Sequence, residues 1–178
     1  YIQVKSYPYV SRDELLDQLY SMRRKFTDYK SYADATLTDI FSAEELKDAK
    51  QLKADFLETV IFENRDGKFV PKKLPVEAQF APVYKILVQD VNNDQLPDLL
   101  LMGNTEYPRL KTGKIDADFG ILLLNEGKGN FRYINQRQSG LRIVGDVKDA
   151  LWLTINNNAY LVAAANGMAL QWYKLNKR

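Results

Sequence analysis

The spacing of apolar residues changes near residue 53 of this chain. In the first part they recur three or four positions apart, on one face of a helix: Leu15, Leu19, Met22 and Phe26. Ser11 and Glu14 stand before this run at the spacing of a capping box, which satisfies free N–H groups at a helix start. Ser42 and Glu45 repeat the arrangement before a shorter helix, which we expect to end near residue 52. The pattern predicts a helical N-terminal segment over residues 1–53.

Residues 54–178 have a different pattern, in which short apolar runs are separated by Gly, Asn and Asp. Residues 54–63 read as a strand, residues 64–67 as a tight turn, and residues 68–71 as the return strand. No amphipathic helix of similar quality follows. The pattern predicts a mainly β fold with N-terminal helices, an α+β chain in the broad classification.

The β part contains an internal repeat. Corresponding residues lie 61 or 62 positions apart: Asn64 and Asn125, Phe69 and Phe131, Asn104 and Asn166. The copies span about 54–115 and 116–178. About four short strands in each copy predict β-propeller blades, and two copies are too few to close a propeller of four to eight blades. We therefore expect an incomplete propeller. Either the chain is a fragment of a longer protein, or it folds as an open pair of sheets capped by the N-terminal helices.

The stretch from Asp90 to Asp98 carries the most specific chemistry. Oxygen-bearing groups stand at loop positions 1, 3, 5, 7 and 9, where position 7 contributes its backbone carbonyl: Asp90, Asn92, Asp94, Leu96 and Asp98. Calcium takes about 6–8 oxygen ligands in a flexible shell, which this spacing suits. An EF-hand has Gly at position 6 and Glu at position 12, whereas Gln95 and Leu101 stand here. The apolar flanks predict two antiparallel strands joined by a calcium loop, and a solvated hairpin turn is the alternative.

The second copy lacks such a loop. Counting from Asp146, positions 1, 3, 5 and 9 of the corresponding stretch are Asp146, Lys148, Ala150 and Thr154. A lysine ammonium group among the ligands would repel a cation. We therefore expect one metal loop, in the first copy.

Composition narrows the function classes. The 178 residues include no Cys and no His, which excludes disulfides, thiolate zinc sites, cysteine nucleophiles and Ser-His-Asp triads. The net charge of +2 gives no basic stripe for nucleic acid, and no run of about 18 apolar residues predicts a transmembrane helix. A calcium loop of modest affinity works best where calcium is abundant, so we expect an extracytoplasmic protein whose signal peptide is not present in this chain.

Two other groups of residues offer chemistry. Asp116 and Asp118 are two positions apart, which places them on one face if they lie in a strand and would allow acid–base work. Trp152, Trp172 and Tyr173 would stack on sugar rings if they were exposed. A lead-in to a repeat explains the two aspartates better, and a sheet interior or interface explains the aromatic residues better.

The combination resembles the FG-GAP or VCBS repeat proteins, in particular those that also carry an ASPIC/UnbV domain. The resemblance covers about residues 55–167, and the helical segment is similar to the insert that precedes these repeats. The residues that carry it are Asn64 to Phe69, Leu74-Pro to Gln79, Ala81-Pro82, Asp90 to Leu101, Gly103-Asn104, Gly113, Asp116-Ala117, Gly120 and Ser139-Gly140. The resemblance implies propeller blades with integrin α-like calcium loops, and the ligands would be Asp90, Asn92, Asp94, Leu96 through its carbonyl, and Asp98. Gln95 departs from the Gly that the family favours at position 6.

These observations predict a non-catalytic, exported, propeller-like binding or assembly module with one calcium-stabilised hairpin loop. The partner would be another protein or a glycan, and exposed blade edges would allow self-association. One alternative is a carbohydrate-active enzyme or glycan-binding module that uses surface carboxylates, such as Asp98 or Asp116, and aromatic side chains. Another is a purely structural piece of a larger propeller.

Overall fold

The computed structural model of the protein describes residues 5–106, 108 and 111–176. The chain folds into two compact units, the first ending at Asp55 and the second beginning at Phe56. Within the described residues, no helix is long and apolar enough to cross a membrane.

The first unit consists of short helices. They are α1 (Arg12–Gln18), a 3-10 helix (Tyr20–Arg24), α2 (Tyr29–Ala33), α3 (Leu37–Ile40) and α4 (Ala43–Lys47). Both predicted capping boxes are present, with Glu14 accepting from the Ser11 amide at 2.7 Å and Glu45 from the Ser42 amide at 2.8 Å.

The expected long first helix is interrupted at Leu19, whose backbone leaves the helical region at φ −125° and ψ 82°. The predicted apolar face nevertheless holds together across the break. Leu15 and Phe26 are buried with Ala35 and Ile40, so the later helices fold back onto the first one. The second predicted helix ends at Lys47, earlier than expected.

The second unit is mainly β, as predicted. Its strands are β1 (Val60–Arg65), β2 (Lys68–Lys73), β3 (Val83–Gln89), β4 (Asp98–Gly103), β5 (Ile121–Asn125), β6 (Phe131–Ile134), β7 (Val147–Ile155), β8 (Asn158–Ala165) and β9 (Gln171–Lys174). They form three antiparallel sheets: the hairpin β1–β2, a four-stranded sheet in the order β3–β4–β5–β6, and a three-stranded sheet in the order β7–β8–β9. A 3-10 helix (Val76–Gln79) and α5 (Gln136–Ser139) lie in the connections. The first strand begins at Val60, whereas the sequence predicted a start near residue 54.

The four-stranded and three-stranded sheets match each other pair by pair. Each opens with a first strand pair, Val83 with Gly103 and Val147 with Ala165, that is followed by a shift of register. The match continues into the third strand, where the pair Leu100–Leu122 corresponds to the pair Val162–Trp172. The two sheets are thus equivalent over three strands, and only the first has a fourth strand among the described residues. The sheets do not coincide with the predicted copies, because β5 and β6 lie within residues 116–178 and complete the first sheet.

Directly paired residues point to the same side of a sheet, so the strand pairing defines two faces for each of these sheets. Both faces of each sheet carry apolar residues. Face A of the four-stranded sheet is defined by Leu87, Leu100, Met102 and Leu122, and its face B by Leu99, Leu101, Ile121 and Leu123. Face A of the three-stranded sheet is defined by the residues Leu151, Leu153, Ile155, Tyr160, Val162 and Trp172. Its face B is defined by Ala150, Trp152, Leu161, Ala163 and Tyr173.

The two sheets stack with face A of the four-stranded sheet against face B of the three-stranded sheet, in one apolar cluster with Ile143 and Val147. Polar contacts join the first strands, since Lys85 Nζ lies 2.6 Å from Asp149 Oδ1 and Lys148 Nζ lies 3.8 Å from the ring centroid of Tyr84. Face B of the four-stranded sheet packs on the segment that precedes it, through Leu74 and Ala78. Face A of the three-stranded sheet stays exposed at Leu151, Leu153, Ile155 and Trp172.

Truncation of Leu101 to Ala should test this layered core. Leu101 is 1% exposed on face B of the four-stranded sheet, so the free energy of unfolding should fall by about 2–4 kcal/mol. Leu153→Ala is the matched control, because Leu153 is 38% exposed and its truncation should cost less than about 1 kcal/mol. Denaturant melts of the two variants measure the difference. Equal losses would contradict this assignment of covered and uncovered faces.

Candidate functional site

The predicted calcium loop joins β3 to β4, so it lies between two antiparallel strands. The strands close on the pair Gln89–Asp98, and residues 90–97 form the connection. Asp90 and Leu96 are half-buried, whereas Asn92 and Asp94 are exposed. The loop therefore has an accessible rim above a buried base.

Three of the predicted ligands curl the loop through hydrogen bonds to its own backbone. Asp90 Oδ1 accepts from the Asp94 amide at 3.2 Å, and Asp90 Oδ2 accepts from the Gln95 amide at 2.9 Å. Asn92 Oδ1 accepts from the Asp94 amide at 3.1 Å, and its Nδ2 donates to Asp94 Oδ2 at 2.8 Å. Asp94 Oδ1 accepts from the Leu96 amide at 2.8 Å. The side chains at positions 1, 3 and 5 are thus all drawn towards the inside of one turn.

Asp98 forms the base of the loop and is 1% exposed. Its Oδ2 accepts from the Val91 amide at 2.9 Å, and its Oδ1 accepts from the Asn125 amide at 2.9 Å. Asn125 also donates from Nδ2 to the Pro97 carbonyl at 3.0 Å. Asp98 and Asn125 therefore tie both ends of the loop to β5.

Asn125 is a residue of the site that the loop spacing did not identify. The repeat contained the signal, because Asn125 corresponds to Asn64. Each asparagine lies at or near the end of a strand and accepts a backbone N–H with its Oδ1, Asn125 from Gly127 and Asn64 from Gly67, at 2.9 Å. At Asn125 the backbone amide and the side-chain amide carry the additional contacts to the loop.

Gln95 takes the backbone conformation that position 6 of such a loop requires. Its φ is 70°, in the left-handed region that glycine adopts freely. A non-glycine residue pays about 1–2 kcal/mol for this conformation. The loop thus keeps its shape with Gln95 in place at a local cost.

The donor set suits a hard cation, because it consists of carboxylate, amide and carbonyl oxygens. Each carboxylate oxygen has a second lone pair, so an N–H bond does not use up its capacity. Among the described residues, however, no three acidic, histidine or cysteine side chains converge closely enough to hold a metal ion. Ion binding at this loop would require Asp90, Asp94 and Asp98 to draw together.

The alignment of the second copy with this loop was wrong. Lys148, Ala150 and Thr154 lie within β7, and Asp146 directly precedes that strand. The connection that corresponds to the loop is the two-residue turn Asn156-Asn157, with φ values of 48° and 61°. Strand pairing in the longer β7–β8 hairpin decides this equivalence. Lys148 instead pairs with Asp146, at 2.6 Å between Nζ and Oδ1.

Asp116 and Asp118 do not share one environment. Asp116 is exposed, whereas Asp118 is 2% exposed. Asp118 Oδ1 accepts from the Gly120 amide at 2.7 Å, and Oδ2 is buried with no hydrogen-bond partner among the described residues. Burial raises the pKa of Asp118 to about 6, against the lowering effect of the Gly120 and Gly103 amides.

Asn104 anchors this buried region, and sequence reasoning identified it only as a member of the repeat. It is 1% exposed, accepts from the Asp118 amide at 3.0 Å, and donates to the carbonyls of Asp118 at 2.8 Å and Gly145 at 3.1 Å. Its φ of 84° lets the chain turn after β4. Asn104 therefore ties the end of the four-stranded sheet's second strand to the segment leading into β7.

The three candidate aromatic residues are divided between the two faces of one sheet. Trp152 and Tyr173 lie on face B and pack in the core between the sheets, as expected for residues of a sheet interior. The Tyr173 hydroxyl donates to the Arg142 carbonyl at 2.6 Å. Trp172 lies on face A and is 50% exposed. They do not form a single stacking surface.

Asp118→Asn should change the pH dependence of stability. The pKa of about 6 in the folded state lies above the ordinary value of 3.8, so this group stabilises the fold below pH 3.8 and that contribution is lost as pH rises through 6. At pH 8 the loss amounts to at most about 3 kcal/mol. The difference in unfolding free energy between variant and wild type should therefore move by about 2–3 kcal/mol in favour of the variant between pH 4 and 8.

Asp116→Asn is the matched control, because Asp116 is exposed. Its difference from wild type should stay constant over the same pH range. A steric penalty from the new amide in the Asp118→Asn variant would shift the whole curve without changing its slope. If the difference in unfolding free energy between Asp118→Asn and wild type stayed constant from pH 4 to 8, Asp118 would not titrate in this way.

No family model matches this chain, and the searches of curated proteins and of solved structures give no match either.

Proposed function

We propose that this chain is a non-catalytic binding or assembly module of FG-GAP or VCBS type, in which calcium stabilises the β3–β4 loop. The observation that supports it most is the curl of the loop, where Asp90, Asn92 and Asp94 turn their oxygens inward at alternate positions. Calcium would complete this arrangement with the Leu96 carbonyl and the Asp98 carboxylate.

Electrostatic attraction would drive calcium binding at this loop. The loop has three aspartates and no basic residue, so a divalent ion between the carboxylates would replace mutual repulsion with attraction. The ion would hold together β3 and β4, whose apolar residues contribute to both faces of the four-stranded sheet. Its role is rigidity, and the loop of modest affinity that Gln95 implies would work outside the cytosol.

The environment of the acidic residues supports a non-catalytic role over the carbohydrate-active alternative. Asp98 is 1% exposed and its two oxygens hold the loop through backbone N–H groups, which supports a structural role over that of an acid or base. Asp116 and Asp118 differ in burial and do not form the carboxylate pair that glycoside hydrolysis uses. Trp152 and Tyr173 lie on one face of the sheet and Trp172 on the other, which gives little support for a surface that stacks on sugar rings.

The sheet stacking supports a propeller-like arrangement. The four-stranded sheet offers face A to the next sheet and covers face B with the preceding segment. The equivalent three-stranded sheet has its face B covered in the same way and leaves face A exposed. A chain of such units, each packing on the next, is how propeller blades associate. The purely structural alternative shares this stacking and differs in lacking a calcium site.

The exposed face A supports the assembly role. Leu151 and Ile155 are each 45% exposed and Trp172 is 50% exposed, on a sheet whose other face is buried. Contiguous apolar surface of this kind marks interaction sites. A second copy of this chain is the partner we propose for it, with sheet-on-sheet packing like that between the two sheets within one chain.

The melting temperature of the protein should be higher in calcium than in chelator. At a hundredfold excess over the dissociation constant, linkage gives about 2.7 kcal/mol of stabilisation.

Asp94→Asn should weaken calcium binding by about tenfold, because it removes one charged ligand. Asp66→Asn is the matched control, since Asp66 is exposed in the β1–β2 turn with a φ of 50° that Asn adopts readily. Gln95→Gly should raise the melting temperature both with and without calcium, because it relieves a backbone strain that the loop carries without the ion.

Thermal melts and calorimetric titration with calcium measure these effects. Identical melting temperatures with calcium and with chelator would refute the calcium site. An equal response of the Asp94 and Asp66 variants would show that any calcium effect arises elsewhere.

Sedimentation velocity over micromolar concentrations tests the assembly role. The chain should self-associate with increasing concentration, and Leu153→Glu should abolish this by placing a charge in face A. Thr154→Glu is the matched control, because Thr154 is exposed at the neighbouring position and points to the other side of the sheet. A monomer at every concentration would rule out association through face A.

A further inference from the structure

We infer that Asp118 controls a pH-sensitive latch between the four-stranded and three-stranded sheets. The latch consists of Asn104, Asp118, Gly120, Ile143 and Gly145. It is closed while the Asp118 carboxyl group carries a proton, and it opens locally when that group ionises. These residues lie outside the loop between β3 and β4, and the latch acts within one chain. It therefore rests neither on calcium nor on the proposed assembly role.

Three segments of the β unit meet at the latch. Asn104 directly follows β4, and its side chain accepts the Asp118 amide at 3.0 Å and donates to the carbonyls of Asp118 at 2.8 Å and Gly145 at 3.1 Å. The Ile143 amide donates to the Phe119 carbonyl at 2.9 Å. Residues 118–119 precede β5, whereas residues 143–145 precede β7. The latch thus joins the four-stranded sheet to the segment that leads into the next sheet.

Apolar packing closes the same junction. Ile143 is buried and belongs to the apolar cluster between the two sheets. A Cβ atom at Gly120 would lie 3.0 Å from Ile143 Cδ1, so the Ile143 side chain lies directly against the Gly120 backbone. The neighbouring Asp118 is only 2% exposed. The closed junction therefore shields the Asp118 carboxyl group from water.

The Asp118 carboxyl group has few partners that would stabilise it as an anion. Its Oδ1 accepts from the Gly120 amide at 2.7 Å, and its Oδ2 is buried without a hydrogen-bond partner among the described residues. A buried charge costs free energy unless it is paired. Burial accordingly raises the pKa of Asp118 to about 6, although the Gly120 and Gly103 amides act in the opposite direction.

No basic side chain of the described residues offsets this effect at Asp118. Burial and backbone amides account for its shifted pKa, without a contribution from a cation. The titratable group that faces it from β6 is Tyr133. Burial raises the pKa of Tyr133, and the charges of Glu77 and Asp118 raise it further. Tyr133 and Glu77 carry no positive charge, so neither can neutralise the Asp118 carboxylate.

Asp146 provides the contrast on the β7 side of the latch. It is buried and directly follows Gly145. Its Oδ1 lies 2.6 Å from Lys148 Nζ, and its Oδ2 accepts from Asn166 Nδ2 at 3.1 Å. The charge of Asp146 is thus matched by a cation, whereas the charge of Asp118 is not. Ionisation of Asp118 is therefore the event that destabilises the closed junction.

Ionisation should favour an open junction, in which water reaches the Asp118 carboxylate. The closed form binds the proton more tightly than an open form with the ordinary pKa of 3.8, so the closed form is favoured at low pH. It loses this advantage as pH rises through 6. Between pH 4 and 8 the ratio of open to closed form should rise about 50-fold.

Native-state hydrogen exchange of the full chain, measured by NMR, tests the latch. The protection factors of the Asp118, Gly120 and Ile143 amides, corrected for the intrinsic exchange rate at each pH, should fall about 50-fold between pH 4 and 8. The amides of the central strand β4 should exchange through global unfolding. They should stay at least about tenfold better protected than the three latch amides at pH 8.

Asp118→Asn and Asp118→Ser remove the titrating group with side chains of different shape. In either variant the protection factors of the Gly120 and Ile143 amides should change less than about threefold between pH 4 and 8. Asp116→Asn is the matched control, because Asp116 is exposed. It should keep the full decrease seen in wild type.

The wild-type comparison decides the matter even if both Asp118 variants fail to fold. Equal protection of the latch amides and the β4 amides at pH 8 would overturn the inference, because Asp118 would then act on global unfolding alone. Protection factors of the latch amides that stay constant in wild type would also overturn it. The same holds for a decrease that persists in both Asp118 variants, since another group would then be titrating.

Discussion

The stacking of two equivalent sheets is the constraint on which the β unit depends. Leu100 and Met102 on one sheet and Leu161 and Ala163 on the other are all within 3% of complete burial. Neither sheet could remain exposed on this side, because hydrophobic burial contributes most of the free energy that opposes chain entropy. The same interface fixes where each hairpin loop projects.

The loop between β3 and β4 depends on that interface indirectly. Its base, Asp98, is the first residue of β4 and is buried because β4 is central in its sheet. Asn125 reaches it from β5, and β5 is held by the same sheet. A loop with the same side chains on an isolated hairpin would lack this support, since two-stranded hairpins are marginally stable in water.

The two equivalent sheets differ in one connection and in their number of strands. The first has a nine-residue loop segment from Asp90 to Asp98, and the second has a two-residue turn in its place. The first has a fourth strand, and the second has three strands among the described residues. The shared framework of three strands stays constant while the connections differ, as is usual for loops on a β framework.

The sequence alone determined the local features, because they depend on neighbouring residues. Both capping boxes, a tight turn within residues 64–67 and the hairpin position of the Asp90–Asp98 loop follow from side-chain chemistry and alternation over short spans. The tertiary structure decided the rest. Only strand pairing could show that Lys148 belongs to β7. Only packing could bury Asp118 while exposing Asp116, because both lie in an irregular segment before β5 where strand alternation gives no guide. The exposed face A is likewise a product of which sheets meet, and the residues that meet there, such as Leu100 and Leu161, are about 60 positions apart in the sequence.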